Sequence, residues 1–286
     1  MGSPGTTTGS DAPAPIVYLH GKGEPKRDHE VVIALSRGLD GIGQDPMHPA
    51  VLQMKAMDYS RELRGRQQGD GRRPLRVPRH EGGPRSPDQI LAYFARQEAL
   101  RQALVPHADD VWTVLDKAPR SIAAVGGDLM AWWYDDVDQY VKQEPRRWTV
   151  WSRVLDDWPK TPRVLVIAHS LGSVVIVDLL PRLPAGQRVD LVTLGSPLQV
   201  PRLRRGLRDL QLDFPYEQIN SWVNIMDPDD WVPAVGGLSS ALAQVLDVKV
   251  DLWGGHDELL YLAHPATARA VQAYLDATTA ANAANP

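Results

Sequence analysis

Val164-Leu165-Val166-Ile167-Ala168-His169-Ser170-Leu171-Gly172-Ser173-Val174-Val175-Ile176-Val177 decides the reading of this chain. Val164–Ala168 is a continuous aliphatic run, short enough for a strand buried on both faces. Ser170–Leu180 is mostly apolar and stops at Pro181, which suits a buried helix. A strand that passes into a helix within so few residues needs a very tight turn. Ser170 at its apex must take strained dihedrals, and the residues two before and two after it crowd each other. Only Gly or Ala fits there, and the chain has Ala168 and Gly172. Ala168 replaces the commoner glycine and adds one methyl group of crowding.

Working outward, more strands of the same kind follow. Ile16-Val17-Tyr18-Leu19 is a short apolar run ending at His20-Gly21-Lys22-Gly23, a strand followed by a glycine turn. A strand is expected around 51–59. Val189–Leu194 precedes Gly195-Ser196-Pro197, and Ile219–Met226 and Val245–Trp253 read as further strands. Leu259 to Ala277 reads as a helix interrupted at Pro265. Strands alternating with helices predict an α/β fold with a mostly parallel sheet flanked by helices, without internal repeats.

The pattern changes between about 60 and 159. Eight arginines lie from Arg61 to Arg85, with several glycines and Pro74, Pro78 and Pro84, a composition that cannot form core. Ser86-Pro87-Asp88-Gln89 then carries the signals of a helix start, with a capping serine, proline at the first position and Gln89 able to reach back. Ile90, Leu91, Phe94, Ala95 and Leu104 form its expected apolar stripe, and Pro106 ends it. Residues 111–158 are rich in tryptophan (Trp112, Trp132, Trp133, Trp148, Trp151, Trp158) and read as mostly helical. The whole segment is expected to be a helical cap inserted into a single domain running from 15 to 286. The tryptophans pack core and cap or line a hydrophobic groove. The arginine run is most simply a solvated loop, with an anionic surface contact as the alternative.

Composition narrows the function classes. The 286 residues include no cysteine, which excludes thiol catalysis, thiolate metal sites and a disulfide scaffold. Lys+Arg is 31 against Asp+Glu 35, a net charge of −4, so a strongly basic nucleic-acid binder is not indicated. Arginine outnumbers lysine 24 to 7, as in products of GC-rich, bacterial genomes. No stretch approaches the roughly 18 apolar residues of a membrane-spanning helix. Residues 1–14 lack a basic start and an apolar core and read as a disordered tail. They formally fit a myristoylation pattern through Gly2 and Thr6. A cytoplasmic location is the expectation. No His-Glu-x-x-His, phosphate loop or dinucleotide glycine motif occurs, so neither metal nor cofactor is expected.

The turn Ala168-His169-Ser170-Leu171-Gly172 fits a nucleophile elbow. It would lift the serine oxygen above the carboxyl end of the sheet and aim the Leu171 N–H at a developing oxyanion. A capping serine at a plain strand–helix turn is the alternative. Acyl-bond hydrolysis needs a nucleophile, a base and a group orienting the base. The chain offers serine, then aspartate, then histidine, in that order. His256, in a glycine turn after the last expected strand, is the base candidate, with His264 as its rival.

On these residues the chain resembles the α/β-hydrolase superfamily, in particular bacterial serine esterases and lipases with a His-Ser-Leu-Gly elbow. Four blocks carry the resemblance: Val17-Tyr18-Leu19-His20-Gly21-Lys22-Gly23, the elbow, Val192-Thr193-Leu194-Gly195-Ser196-Pro197-Leu198, and the run from Trp222 through Asp227-Pro228-Asp229-Asp230 to His256. The resemblance implies an α/β-hydrolase fold and a carboxylic ester substrate with a hydrophobic or lipid-like part. It also implies a triad of Ser170, Asp230 and His256. Asp230 stands two residues before Val232, where similar hydrolases place the acid; Asp227 and Asp229 are the other candidates. Lys22 and Leu171 would supply the oxyanion hole. His20 and Gly21 would shape its loop at the substrate, and His169 would line the pocket or pack beneath it. Acyltransferase, thioesterase and peptidase activities could use the same triad, and a non-catalytic binding protein would be expected to lack one of its members. Residues 60–150 match nothing specific, and oligomeric state is not legible.

Overall fold

The computed structural model describes residues 15–23, 25–64, 86–104, 137–200, 203–233, 237–253 and 255–284. The expected tail, most of the arginine-rich stretch and Trp112, Trp132 and Trp133 lie outside them.

Among the described residues six strands form one parallel sheet: β1 (Ile16–Leu19), β2 (Lys55–Met57), β3 (Arg163–His169), β4 (Arg188–Leu194), β5 (Ile219–Met226) and β6 (Leu246–Lys249), in the order β2-β1-β3-β4-β5-β6. This is an α/β architecture. Both faces are covered, so the strands are continuous apolar runs, as parallel sheets require. Successive residues go to opposite layers: Val17, Leu19, Val164, Val166 and Ala168 join one core, and Ile16, Tyr18, Leu165 and Ile167 the other.

The helices of the described residues include α1 (Asp28–Gly41), α2 (Pro49–Leu52), α3 (Ser60–Leu63), α4 (Pro87–Leu104), α5 (Glu144–Asp156), α6 (Leu171–Leu179), α7 (Arg205–Leu212), α8 (Glu258–Ala263) and α9 (Pro265–Ala284). Residues of α5, α6 and α7 belong to the first core, and those of α1, α8 and α9 to the second. Strand order reverses between β1 and β3. Such a switch point opens a crevice at the carboxyl ends of the strands, and the loop after β1 and the turn after β3 meet there. Among the described residues no helix is long and apolar enough to cross a membrane.

Three expectations change. Residues 51–59 are not one strand: Pro49 opens α2, His48 accepts from the Ala50 N–H at 3.2 Å, and only 55–57 pair with β1. The last strand stops at Lys249, after which Asp227 Oδ2 takes the Leu252 N–H at 2.8 Å and turns the chain.

The third concerns α4, whose buried residues are Tyr93, Gln97 and Leu104, while Leu91 and Phe94 are exposed. The reason is an open strand edge. β6 starts opposite Val223, so among the described residues Trp222 has no strand neighbour on that side. Gln97 substitutes for one: its Nε2 donates to Trp222 O at 2.9 Å, and the Trp222 N–H donates to its Oε1 at 3.3 Å. A buried backbone pair left open costs more than placing an amide in the helix face. α4 therefore belongs to the flank of β5 and α5 to the layer over α6. The remainder of the expected cap, 65–85 and 105–136, lies outside the described residues.

Candidate active site

The turn after β3 holds Ser170 at φ 51°, ψ −123°. For a non-glycine residue this conformation costs on the order of 1–3 kcal/mol and persists only where the surroundings impose it. Here the Ser170 N–H donates to Leu194 O of β4 at 2.9 Å. Ser173, one turn into α6, donates its hydroxyl to Ser170 O at 2.6 Å and shares a hydrogen bond with Ser196 at 2.7 Å. Gly172 is required by close approach, since a Cβ there would lie 2.4 Å from Leu19 O and 2.7 Å from His20 O.

Ser170, Asp230 and His256 come together from three loops at the carboxyl end of the sheet. His256 Nε2 is 2.8 Å from Ser170 Oγ, and Nδ1 is 2.7 Å from Asp230 Oδ2. A carboxylate only accepts, so Nδ1 carries the proton and Nε2 is left to accept from the serine hydroxyl. Asp230 is 1% exposed, and its Oδ1 takes the Val232 N–H at 2.9 Å. Gly195, at φ 52°, gives this pair room: a Cβ there would stand 3.1 Å from both Asp230 Oδ2 and His256 Nδ1.

The other two aspartates do different work. Asp227 is buried, with Oδ1 accepting from the Asp229 N–H at 2.7 Å and Oδ2 from the Leu252 N–H at 2.8 Å. Asp229 is exposed. The rival histidine, His264, accepts the Ala266 N–H at 3.1 Å at the start of α9.

Leu171 is the first residue of α6, a position whose N–H helix geometry leaves without an intrahelical acceptor. Across from it, Gly21 presses on Ser170: its Cβ would be 2.8 Å from Ser170 Cβ and 3.4 Å from Oγ. Lys22 follows, half-buried. His20 holds this loop. Its ring stacks on Tyr59 with centroids 4.3 Å apart, Nδ1 lies 2.6 Å from Gly21 O, and its carbonyl accepts from the Tyr59 hydroxyl.

His169 packs beneath His256, ring centroids 4.6 Å apart, and is 4% exposed, with neither ring nitrogen hydrogen-bonded among the described residues. Burial first, then the neighbouring His256 and His20, push its pKa well below the usual imidazole value, so it is neutral. Glu258 Oε2 stands 3.9 Å away and accepts from the Tyr18 hydroxyl at 2.6 Å. Burial raises the Glu258 pKa, against the opposing hydrogen bond from Tyr18.

Two residues escape the sequence reading. Tyr261, fully buried on α8, donates its hydroxyl to Asp230 Oδ2 at 2.8 Å. Trp231 stands with its ring 5.7 Å from that of His256. A tyrosine inside an otherwise apolar helix face just after His256 was the available signal for the first. The second had none beyond its place next to Asp230.

Two cavities, of about 150 Å³ between α5, α6 and α7 and about 540 Å³ near the amino ends of β3, β4 and β5, include none of the three residues in their walls. Among the described residues no group of three or more His, Cys, Asp or Glu is placed to hold a metal ion. Comparison with protein-family models, curated proteins and solved structures finds no match to this chain.

Proposed function

We propose that this chain is a serine hydrolase of the α/β-hydrolase type that cleaves carboxylic esters. The observation that carries the reading is the unbroken relay from Asp230 through His256 to Ser170, on a strained elbow beside the Leu171 N–H. The strand order, with the elbow after the strand next to β1, supports the fold assignment.

In this reading Ser170 Oγ attacks the ester carbonyl while His256 Nε2 takes its proton. The oxyanion sits against the Leu171 N–H and the Gly21–Lys22 loop. Asp230 stabilises the imidazolium without accepting its proton. His256 returns the proton to the leaving alkoxide, which departs as the alcohol and leaves an acyl-serine. Water, deprotonated by the same nitrogen, then releases the acid and restores Ser170. Transfer to another acceptor would use the same first half, so thioesterase, peptidase and acyltransferase chemistry differ only in leaving group or acceptor.

The test is turnover of p-nitrophenyl esters of increasing acyl length by the parent protein and Ser170→Ala. The reading expects turnover by the parent and a loss of several orders of magnitude in the variant. Equal rates for the two would overturn it.

A further inference from the structure

We propose that Tyr261 is a positioning residue of this site, fixing Asp230 Oδ2 toward His256 and competing with His256 for that oxygen. The inference rests on the hydrolase reading above and deepens it.

The geometry is a chain of donors that ends on one carboxylate oxygen. The Asp227 N–H donates to the Tyr261 oxygen at 3.0 Å, which occupies a lone pair and turns the hydroxyl proton to Asp230. That proton meets Oδ2 at 2.8 Å, on the same oxygen that accepts from His256 Nδ1 at 2.7 Å. Oδ1 is taken by the Val232 N–H, so the carboxylate cannot swing to offer its other oxygen without losing a partner. Tyr261 is fully buried. Burial, then the charge of Asp230, hold its pKa well above the ordinary phenol value, so it remains a donor at every working pH.

Two donors on one carboxylate oxygen share its charge. In the resting state this is tolerable; when His256 becomes an imidazolium, the tyrosine bond draws off part of the stabilisation Asp230 can offer. Tyr261 thus holds the acid in place and tempers how tightly the histidine keeps its proton, which matters because that proton must next go to the leaving group. The other ionisable groups facing this cluster are Asp227, His169, Glu258 and Asp257, with Lys26, Tyr18 and His20 behind them. All are retained in the variants below, so a moved pH limb reports the hydroxyl.

The experiment compares the parent, Tyr261→Phe and protein carrying a fluorinated tyrosine at 261 alone. Ester turnover and the rate of fluorophosphonate labelling are measured against pH. Tyr261→Phe removes the competitor and loosens the acid: kcat falls about tenfold, KM stays within about twofold, and the acid limb moves to higher pH by about half a unit. The fluorinated ring, nearly isosteric and a stronger donor, moves the limb the other way, and it serves if the phenylalanine variant does not fold. Limbs unmoved in folded protein, with the parent labelling normally, overturn this inference alone. A parent that neither labels nor turns over ester overturns the hydrolase reading and this one with it.

Discussion

Replacing Gly172 by alanine sets local propensity against tertiary contact. Within a helix, glycine to alanine ordinarily stabilises by about 0.5–1 kcal/mol. Here the new methyl would sit 2.4 Å from Leu19 O and 2.7 Å from His20 O. An ordinary carbon–oxygen approach is about 3.3 Å, so either β1 or the start of α6 must retreat by roughly 1 Å. Leu19 is paired with Ala168 in the sheet, and the Ser173 N–H binds Ser170 O at 3.0 Å, so neither side yields freely. Overpacking costs about 1–3 kcal/mol, and a collision with two backbone oxygens belongs at the top of that range. At about 2–4 °C per kcal/mol for a domain of this size, Tm should fall by about 6–12 °C. Displacing the His20–Gly21 loop should also slow labelling of Ser170. Thermal unfolding measures the first effect, with Gly41→Ala as control, since nothing among the described residues lies within 4 Å of a Cβ there. A Gly172→Ala protein as stable as the parent, or more so, would refute the close approach.

Two further outcomes follow from the carboxylates. Asp230→Asn should lower kcat by about 10⁴-fold with little change in KM, because the amide no longer selects the working tautomer of His256. Asp227→Asn should instead cost stability by about 1–3 kcal/mol through the turn it ties to Leu252, Asp229→Asn should do neither, and assays of the three with unfolding curves check both. Asp178 on α6 has its pKa raised to about 6 by burial, against the opposing effect of Arg147. The folded state therefore holds this proton more tightly than the unfolded chain, and stability contributed below pH 4 is lost as pH rises to 6 and above. The side chain is only half-buried, so the loss should be about 1–2 kcal/mol, absent in Asp178→Asn, and urea unfolding at pH 5 and pH 8 measures it.

The sheet was legible because strands buried on both faces are written as unbroken aliphatic runs; Ile16–Leu19 and Ile219–Met226 lie within the residues that spell them. The elbow was legible for a related reason, since its tight turn constrains residues adjacent in sequence. What escaped depends on partners far away in the chain. Gln97 faces inward because β6 starts late, something no pattern within α4 could reveal. Tyr261 matters only because α8 is brought under the turn after β5, 31 residues from Asp230. The three clustered aspartates look alike in sequence and are separated by which N–H groups the fold brings to each.

The most direct test of the central claim is fluorophosphonate labelling of the purified protein, followed by mass mapping of the modified peptide. One adduct per chain is expected, on Ser170, abolished in Ser170→Ala and strongly slowed in His256→Ala. Absence of labelling in folded protein, or an adduct that survives in Ser170→Ala, would contradict it.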